Sequence, residues 1–166
     1  MLKPAVASAL NAQVTAEFYS SALYLSMAAW FENQSLPGIA HWMKFQADEE
    51  RTHGMKLFNH VLERGSKAVL EAIAAPPAAF DGPEAIFKMV AEHEAKVTTL
   101  INGLFELART EKDYATEIFL QWFVNEQVEE EAQAHLLYDQ IKMIGSSKGS
   151  LLMLDHQLAK RAAAAA

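Results

Sequence analysis

Four long stretches of this chain carry apolar side chains at intervals of three and four residues, the pattern of amphipathic helices. A proline or glycine lies close to most of their ends. The sequence therefore predicts five helices, the last of them short, over residues 4–33, 37–64, 83–109, 114–144 and 150–161. Helices of this length bury their apolar stripes by packing side by side. We expect an all-α fold that forms a single domain over residues 1–166.

The segments between the helices predict how the bundle is connected. The turns at 33–38 and 110–113 are short, so the helices that each turn joins are antiparallel neighbours. The segment at 65–83 is much longer. A helix of about 28 residues is roughly 42 Å long, and about 18 extended residues can span roughly 60 Å. This segment can therefore cross the length of the bundle and make the second and third helices parallel, with a floppy loop as the alternative.

Composition narrows the class of protein. Apolar residues make up 51% of the chain, and the net charge of −7 argues against a nucleic-acid-binding protein, which normally has a basic surface. Because the chain has no cysteine, it has no disulfide and no thiolate metal site. No apolar run approaches the roughly 20 residues that a membrane span requires. No signal-peptide pattern is visible either, and we expect a cytoplasmic protein that binds no membrane.

An acidic side chain interrupts the apolar stripe of each long helix close to its middle. Helices of similar length that pack side by side bring these interruptions to one height. The polar side chains of the resulting layer are Glu17, Glu50, His53, Glu94, Gln127 and Glu130.

A layer of four buried carboxylates survives only if the acids are protonated, paired with cations or bound to metal. Protonating all four at neutral pH would require large upward pKa shifts. Burying even one unpaired carboxylate costs several kcal/mol, and no Lys or Arg lies on the inward stripes near this layer. A pair of metal ions supplies the charge, because a bridging carboxylate can hold two ions about 3.5–4 Å apart. Oxygen donors with a single imidazole suit iron or manganese better than copper. The alternative is that the helix faces are assigned one residue out of place and that these acids are solvated.

The sequence around this layer resembles the bacterial non-haem ferritins over nearly the whole chain. The resemblance is carried by the segments "TAEFYSSALYLSMAAWF", "DEERTHG", "AEHEAK" and "FLQWFVNEQVEEE". It implies a ferritin-like four-helix bundle with one long crossover between helices two and three and a short fifth helix. It also implies an iron-storage protein with ferroxidase activity, which oxidises Fe(II) with O2 or H2O2 and stores hydrated ferric oxide.

The resemblance implies roles by position for the residues of the layer. Glu17, Glu50 and His53 correspond to the ligands of a first iron, and Glu50 also bridges to a second. Glu94 and Glu130 correspond to the other ligands of that second iron. These five side chains are the expected core of a di-iron ferroxidase centre.

Further residues around the centre take their expected roles from the same resemblance. Gln127 lies beside the iron pair, and Tyr24 lies close enough to assist electron transfer. The acids of an adjacent third iron site are Glu49, Glu126 and Glu129, with Glu130 shared.

The sequence differs from those of related families at the candidate site, and these differences narrow the family that it resembles. Many di-iron carboxylate proteins carry a second pair of Glu and His three residues apart, whereas this chain has Gln127 and Glu130. Bacterioferritins bind haem through a methionine shortly after the glutamate of helix two. Here Arg51 and Thr52 follow Glu50, so we expect no haem.

The first helix is apolar on more than one side, which predicts a contact with another subunit. One extra stripe consists of Phe18, Leu25 and Ala29, and the other of Leu23, Met27 and Trp30. The resemblance implies a homo-oligomeric shell, with 24 subunits as the family number. A di-iron peroxidase or oxygenase without storage, and a purely structural helical oligomer, remain as alternatives.

The remaining histidines are expected to lie outside the centre. His93 follows the helix about 100° away from its neighbour Glu94. The others are expected on surfaces or subunit contacts, and they are His41, His60, His135 and His156.

Overall fold

The computed structural model describes residues 1–160, and every regular element in that range is a helix. The five helices are α1 (Pro4–Asn33), α2 (Pro37–Glu63), α3 (Pro83–Thr110), α4 (Tyr114–Ile144) and α5 (Lys148–Leu158). The predicted all-α fold is therefore confirmed. The limits of the four long helices agree with the prediction to within one residue. The fifth helix begins two residues earlier than predicted and ends at Leu158, and the predicted last residue, 161, lies outside the described residues.

Short-range sequence signals explain where the helices begin. Pro4, Pro37 and Pro83 occupy the first turns of α1, α2 and α3, where a missing N–H removes no helical hydrogen bond. The helices α4 and α5 begin at caps instead. The side chains of Asp113 and Ser147 accept a hydrogen bond from the backbone N–H three residues later.

Contacts between the helices give the topology of the bundle. Late residues of α1 contact early residues of α3, and late residues of α2 contact early residues of α4, so both pairs are antiparallel. The short turns make α1 antiparallel to α2 and α3 antiparallel to α4. It follows that α2 and α3 are parallel, which confirms the predicted crossover.

The crossover between α2 and α3 runs along the outside of α1. Near one end of α1, the Asn11 amide donates to the carbonyl oxygen of Lys67 at 3.1 Å and accepts from the backbone N–H of Val69 at 2.9 Å. Near the other end, the Ser26 hydroxyl donates to the carbonyl oxygen of Pro77. These two attachment points are about 22 Å apart at about 1.5 Å per helical residue. The segment therefore spans much of the bundle.

The apolar core divides into two clusters on either side of the polar layer. One cluster, which includes Trp42 and Phe87, lies toward the end of the bundle that α5 covers. The other, which includes Leu10, Leu57 and Phe123, fills the opposite end. No helix among residues 1–160 is long and apolar enough to cross a membrane.

The predicted contact with another subunit is wrong for one of the two apolar stripes of α1. Leu23 and Met27 are buried in the core of the subunit itself, and Trp30 packs partly buried against the same cluster. The remaining stripe keeps Leu25 and Ala29 exposed. The α1 helix is apolar on several sides because two of those sides face neighbouring helices of its own bundle.

Candidate metal centre

The predicted polar layer is brought together at the middle of the bundle. All four long helices contribute to it, and its side chains are out of contact with water. The six residues, each at most 6% exposed, are Glu17, Glu50, His53, Glu94, Gln127 and Glu130.

A compact donor group forms between α1 and α2. Glu17, Glu50 and His53 each offer one ligand atom, and these atoms all lie within 4.8 Å of one another. The spacing of three residues turns Glu50 and His53 to the same face of α2, where His53 Nδ1 is 3.7 Å from Glu50 Oε2. Metal–ligand bonds of about 2.0–2.2 Å let one ion reach all three atoms after small side-chain adjustments.

The hydrogen bonding of this group fits a cation. Both carboxylate oxygens of Glu50, and Oε2 of Glu17, are buried without a hydrogen-bond partner. Most buried polar atoms in folded proteins have a partner, because an unpaired one carries a desolvation penalty of roughly 1–3 kcal/mol or more when charged. Bound ions between α1 and α2 would supply the missing partners.

Two glutamines hold carboxylates of the layer, and the sequence reasoning did not give either of them a role at the centre. Gln13 Nε2 donates to Glu17 Oε1 at 2.9 Å, and Gln46 Nε2 donates to Glu130 Oε2 at 2.9 Å. Both glutamines are buried. The signal that could have found them is their spacing, since each lies four residues before an acid of the layer on the same helix.

Glu94 is held from two sides. The Tyr24 hydroxyl donates to Glu94 Oε1 at 2.5 Å. The Gln127 amide lies 3.3 Å from Glu94 Oε2 and 3.2 Å from Thr98 Oγ1. The predicted positions of Tyr24 and Gln127 beside the acidic layer therefore correspond to direct contacts with one of its carboxylates.

Burial raises the pKa of all four carboxyl groups. The negative charge of Glu50 further raises the pKa of Glu17, and the charge of Glu94 further raises that of Glu50. Burial raises the pKa of Glu94, although the hydrogen bonds it accepts lower it. Burial followed by the charge of Glu94 raises the pKa of Glu130 to about 7. In the absence of metal the layer therefore binds protons at pH values where exposed carboxylates are ionised.

The acids predicted for a third site lie around this layer, and they are less closely grouped than Glu17, Glu50 and His53. Glu49 is close enough to Glu130 to raise its pKa, and Glu126 Oε1 lies 4.0 Å from His53 Nε2. Glu129 is exposed. In the part of the chain that the structure describes, the only three-donor group within 4.8 Å is the one between α1 and α2. The third site stays a prediction.

His60, which was expected on a surface or at a subunit contact, is buried within its own subunit. Its ring stacks on Phe119 with 3.9 Å between ring centroids, and its Nε2 lies 3.1 Å from Thr116 Oγ1. Burial lowers the pKa of His60. The residue follows His53 by seven positions, or about two helical turns, so it faces α4 in the same way but lies beyond the layer of acids.

His93 also has a partner inside the bundle. Its Nε2 lies 2.8 Å from the Ser20 hydroxyl, and its ring meets the ring of Tyr24 edge-on with centroids 6.5 Å apart. Burial, followed by the positive charge of Lys96, lowers the pKa of His93 to about 4. His93 is therefore a neutral neighbour of the centre that contacts the ring of Tyr24, whereas Glu94 accepts from the hydroxyl of the same tyrosine.

Comparison with known proteins gives consistent matches over the chain. The family model of the ferritin-like domain matches residues 7–144. A bacterial non-heme ferritin of Bacteroides fragilis is 40% identical over 161 residues, which cover 97% of this chain and 100% of the relative. A bacterial non-heme ferritin of Staphylococcus epidermidis is 38% identical, with 97% of each chain covered.

Solved structures agree with these matches. An open pore ferritin from the hyperthermophilic archaeon Archaeoglobus fulgidus superimposes with a TM-score of 0.96 at 46% identity. That match covers 98% of this chain and 100% of the other. A structure described as a humanized archaeal ferritin is 45% identical, also with a TM-score of 0.96.

Proposed function

This chain belongs to the ferritin family, and on that premise we propose that it is an iron-storage ferritin with ferroxidase activity. It oxidises Fe(II) to Fe(III) with O2 or H2O2 at a centre inside each subunit, and it stores the iron as hydrated ferric oxide within a shell of subunits. The observation that carries this proposal is the buried layer of carboxylates in which both oxygens of Glu50 have no hydrogen-bond partner. Four adjacent buried acids stay ionised only with cations beside them.

The proposed ligand assignment follows the positions of the side chains. Glu17, Glu50 and His53 bind one iron, and Glu94 and Glu130 bind the other. Glu50 is the bridge, because it takes part in the compact donor group and its pKa is also raised by the charges of Glu94 and Glu130. The two irons are substrates of the oxidation.

The chemistry of the centre suits oxidation of iron. Hard anionic oxygen donors favour Fe(III) over Fe(II). Two Fe(II) ions each give one electron to O2, which takes up two protons and becomes H2O2. When four Fe(II) ions are oxidised per O2, four protons are taken up and two water molecules form. Because burial raises the pKa of Glu17 and Glu50, Fe(II) binding displaces protons from these carboxyls close to where the oxidant is reduced.

The neighbours of the iron pair complete the proposal. Tyr24 assists electron transfer from iron through its contact with Glu94, to which its hydroxyl donates at 2.5 Å. Gln127 holds the other oxygen of the same carboxylate. The acids Glu49, Glu126 and Glu129, with Glu130 shared, hold a third iron beside the pair.

Storage requires assembly, and we place this chain in a cytoplasmic homo-oligomer of 24 subunits. Exposed apolar side chains on the outside of the subunit support an assembly, among them Leu25 on α1 and Leu70 on the crossover. The solved structures to which the chain is similar over nearly its full length are ferritins. The alternative is a di-iron peroxidase or oxygenase that stores no mineral.

Iron loading separates these functions. The purified protein is mixed with increasing Fe(II) in air, and iron per subunit is measured after removal of unbound metal. A storage ferritin accumulates many ions per subunit in soluble form. A di-iron enzyme without storage retains only the ions of its centre, and a structural oligomer retains none.

Glu50→Ala tests the assigned centre directly. Loss of the bridging carboxylate should abolish the rapid phase of Fe(II) oxidation in stopped-flow absorbance while the circular dichroism spectrum stays helical. Glu92→Ala, which removes an exposed carboxylate from α3, is the matched control and should oxidise iron at the parent rate. Rapid oxidation by the Glu50→Ala variant would contradict the assignment.

A further inference from the structure

The four buried carboxylates differ in how many of their oxygens accept a hydrogen bond. Gln13 occupies one oxygen of Glu17, and Gln46 occupies one oxygen of Glu130, each at 2.9 Å. Glu50, in contrast, has two oxygens without a partner. Glu94 accepts at both oxygens, from the Tyr24 hydroxyl at 2.5 Å and from the Gln127 amide at 3.3 Å. Glu17 and Glu130 are therefore the two acids that a single buried glutamine holds.

We propose that Gln13 and Gln46 are positioning residues that fix the orientation of the Glu17 and Glu130 carboxylates toward the ions they bind. This inference rests on the proposed function of the centre as a di-iron site, and it adds two residues that act on iron only through the carboxylates they hold.

The strength of these contacts comes from their surroundings. Gln46 is 0% exposed and Gln13 is 4% exposed, so bulk water has little access to either amide. A hydrogen bond from a neutral donor to a carboxylate is shorter and stronger than one between neutral groups. Each glutamine therefore fixes the orientation in which its carboxylate meets the ion.

The two glutamines hold ligands of different ions, so the effects of removing each one can be measured separately. Gln13 lies one turn before Glu17 on α1, so its contact stays within one helix. Gln46 reaches from α2 to Glu130 on α4 and fixes the carboxylate across a helix interface. Removing Gln13 should affect the ion that His53 binds, and removing Gln46 should affect the other.

Methionine provides a side chain of similar length without an N–H donor, so the test uses Gln13→Met and Gln46→Met in the full-length protein. Co(II) replaces Fe(II), because Co(II) binds carboxylate and imidazole ligands without being oxidised in this experiment. Calorimetry gives the dissociation constants, and the visible absorption of Co(II) reports its coordination. The absorption of each ion is assigned beforehand with Glu17→Ala and Glu130→Ala, which remove one ligand from each site.

In the Gln46→Met variant, the ion at Glu130 should bind roughly 10-fold more weakly or worse, by analogy with other groups that orient metal ligands. The ion at His53 should keep its affinity within about twofold. Gln13→Met should give the opposite result. The visible absorption of the weakened ion should also change, because a carboxylate released from its amide meets Co(II) in other orientations.

Two results would overturn the proposal. One is a pair of variants whose dissociation constants and Co(II) spectra match those of the parent at both ions. The other is an equal weakening of both ions by each variant together with a lower melting temperature, which indicates a packing role. If a methionine variant fails to fold, leucine at the same position replaces it in the comparison. A parent that binds no Co(II) would instead overturn the proposed function itself.

Discussion

Glu130 provides a measurable consequence of burying acids without metal. Burial, followed by the charge of Glu94, raises the pKa of Glu130 from an ordinary value of 4.5 to about 7. An acid whose pKa is higher in the folded than in the unfolded chain stabilises the fold fully only below its unfolded pKa. That stability is lost as the pH rises through the folded pKa, so the loss for Glu130 falls between about pH 4.5 and pH 7.

Glu130→Gln should therefore stabilise the metal-free protein at high pH. The neutral amide keeps an oxygen that can accept from Gln46, and it avoids the cost of burying a charge. We expect the free energy of unfolding at pH 8 to rise by on the order of 3 kcal/mol relative to the parent, and the gain to vanish below about pH 4.5. Denaturant unfolding with a chelator present measures both values, and Glu92→Gln at an exposed position is the control. A gain that does not change with pH would contradict the pKa shift.

The residues of the centre differ in how far the sequence could predict them. The buried positions of Glu17, Glu50 and Glu94 were predictable, because an acid in the middle of an apolar stripe faces the core of the bundle. The contact between Gln46 and Glu130 was not, since periodicity shows which face a residue occupies but not which atom it meets on another helix. His60 was assigned to the surface for the same reason, as its partner Phe119 lies on α4.

At the scale of elements, the short helix α5 depends on one close approach. The carbonyl oxygen of Asp155 lies where a Cβ on Gly38 would be, only 1.9 Å from its ideal position. The Asp155 carboxylate accepts from the backbone N–H of Ile39 at 2.8 Å. Helix α5 therefore packs on the first turn of α2, and the missing side chain of Gly38 lets the two backbones come this close.

Gly38→Ala should displace α5 from the bundle. We expect faster cleavage of the C-terminal helix by a protease and a lower melting temperature, while Fe(II) oxidation at the distant centre persists. Gly103→Ala is the matched control, because a Cβ at Gly103 meets nothing within 4 Å. That substitution lies inside α3 and should stabilise the protein by roughly 0.5–1 kcal/mol. Equal protease resistance of the Gly38→Ala variant and the parent would show that α5 is held elsewhere.

The helices also show which structural features can be predicted from sequence patterns and which cannot. The four long helices were predictable to within one residue, because their periodicity extends over many turns and proline or glycine lies near most ends. The start of α5 was placed two residues too late, as its cap at Ser147 is a weak local signal. The burial of Leu23 and Met27 was missed because an apolar stripe does not tell whether it faces its own bundle or another subunit.

At the scale of the whole molecule, the proposed oxidation centre and the proposed shell draw on different parts of the subunit. The proposed iron ligands all come from one chain and lie inside its bundle. The exposed apolar side chains lie on the outside, and they include Leu25 on α1 with Leu70 and Ile73 on the crossover. Oxidation should therefore require only a folded subunit, whereas storage should require contacts between subunits.

Leu25→Glu tests this separation, because it places a charge on an apolar surface where the side chain is 52% exposed in the isolated subunit. If a second subunit covers this surface, burying the new carboxylate costs several kcal/mol and the shell dissociates, which light scattering after size exclusion detects. The dissociated subunits should still oxidise Fe(II) at a rate within a few-fold of the parent, but the ferric product should precipitate, since no cavity encloses it.

Asn102→Glu is the control for Leu25→Glu, because it adds the same charge at an exposed position on α3 and should leave both assembly and soluble iron unchanged. Two outcomes would contradict the separation. A full-sized Leu25→Glu assembly would show that this stripe of α1 is not covered. Dissociated subunits that no longer oxidise Fe(II) would show that the centre depends on its neighbours, even though each of its proposed ligands belongs to a single chain.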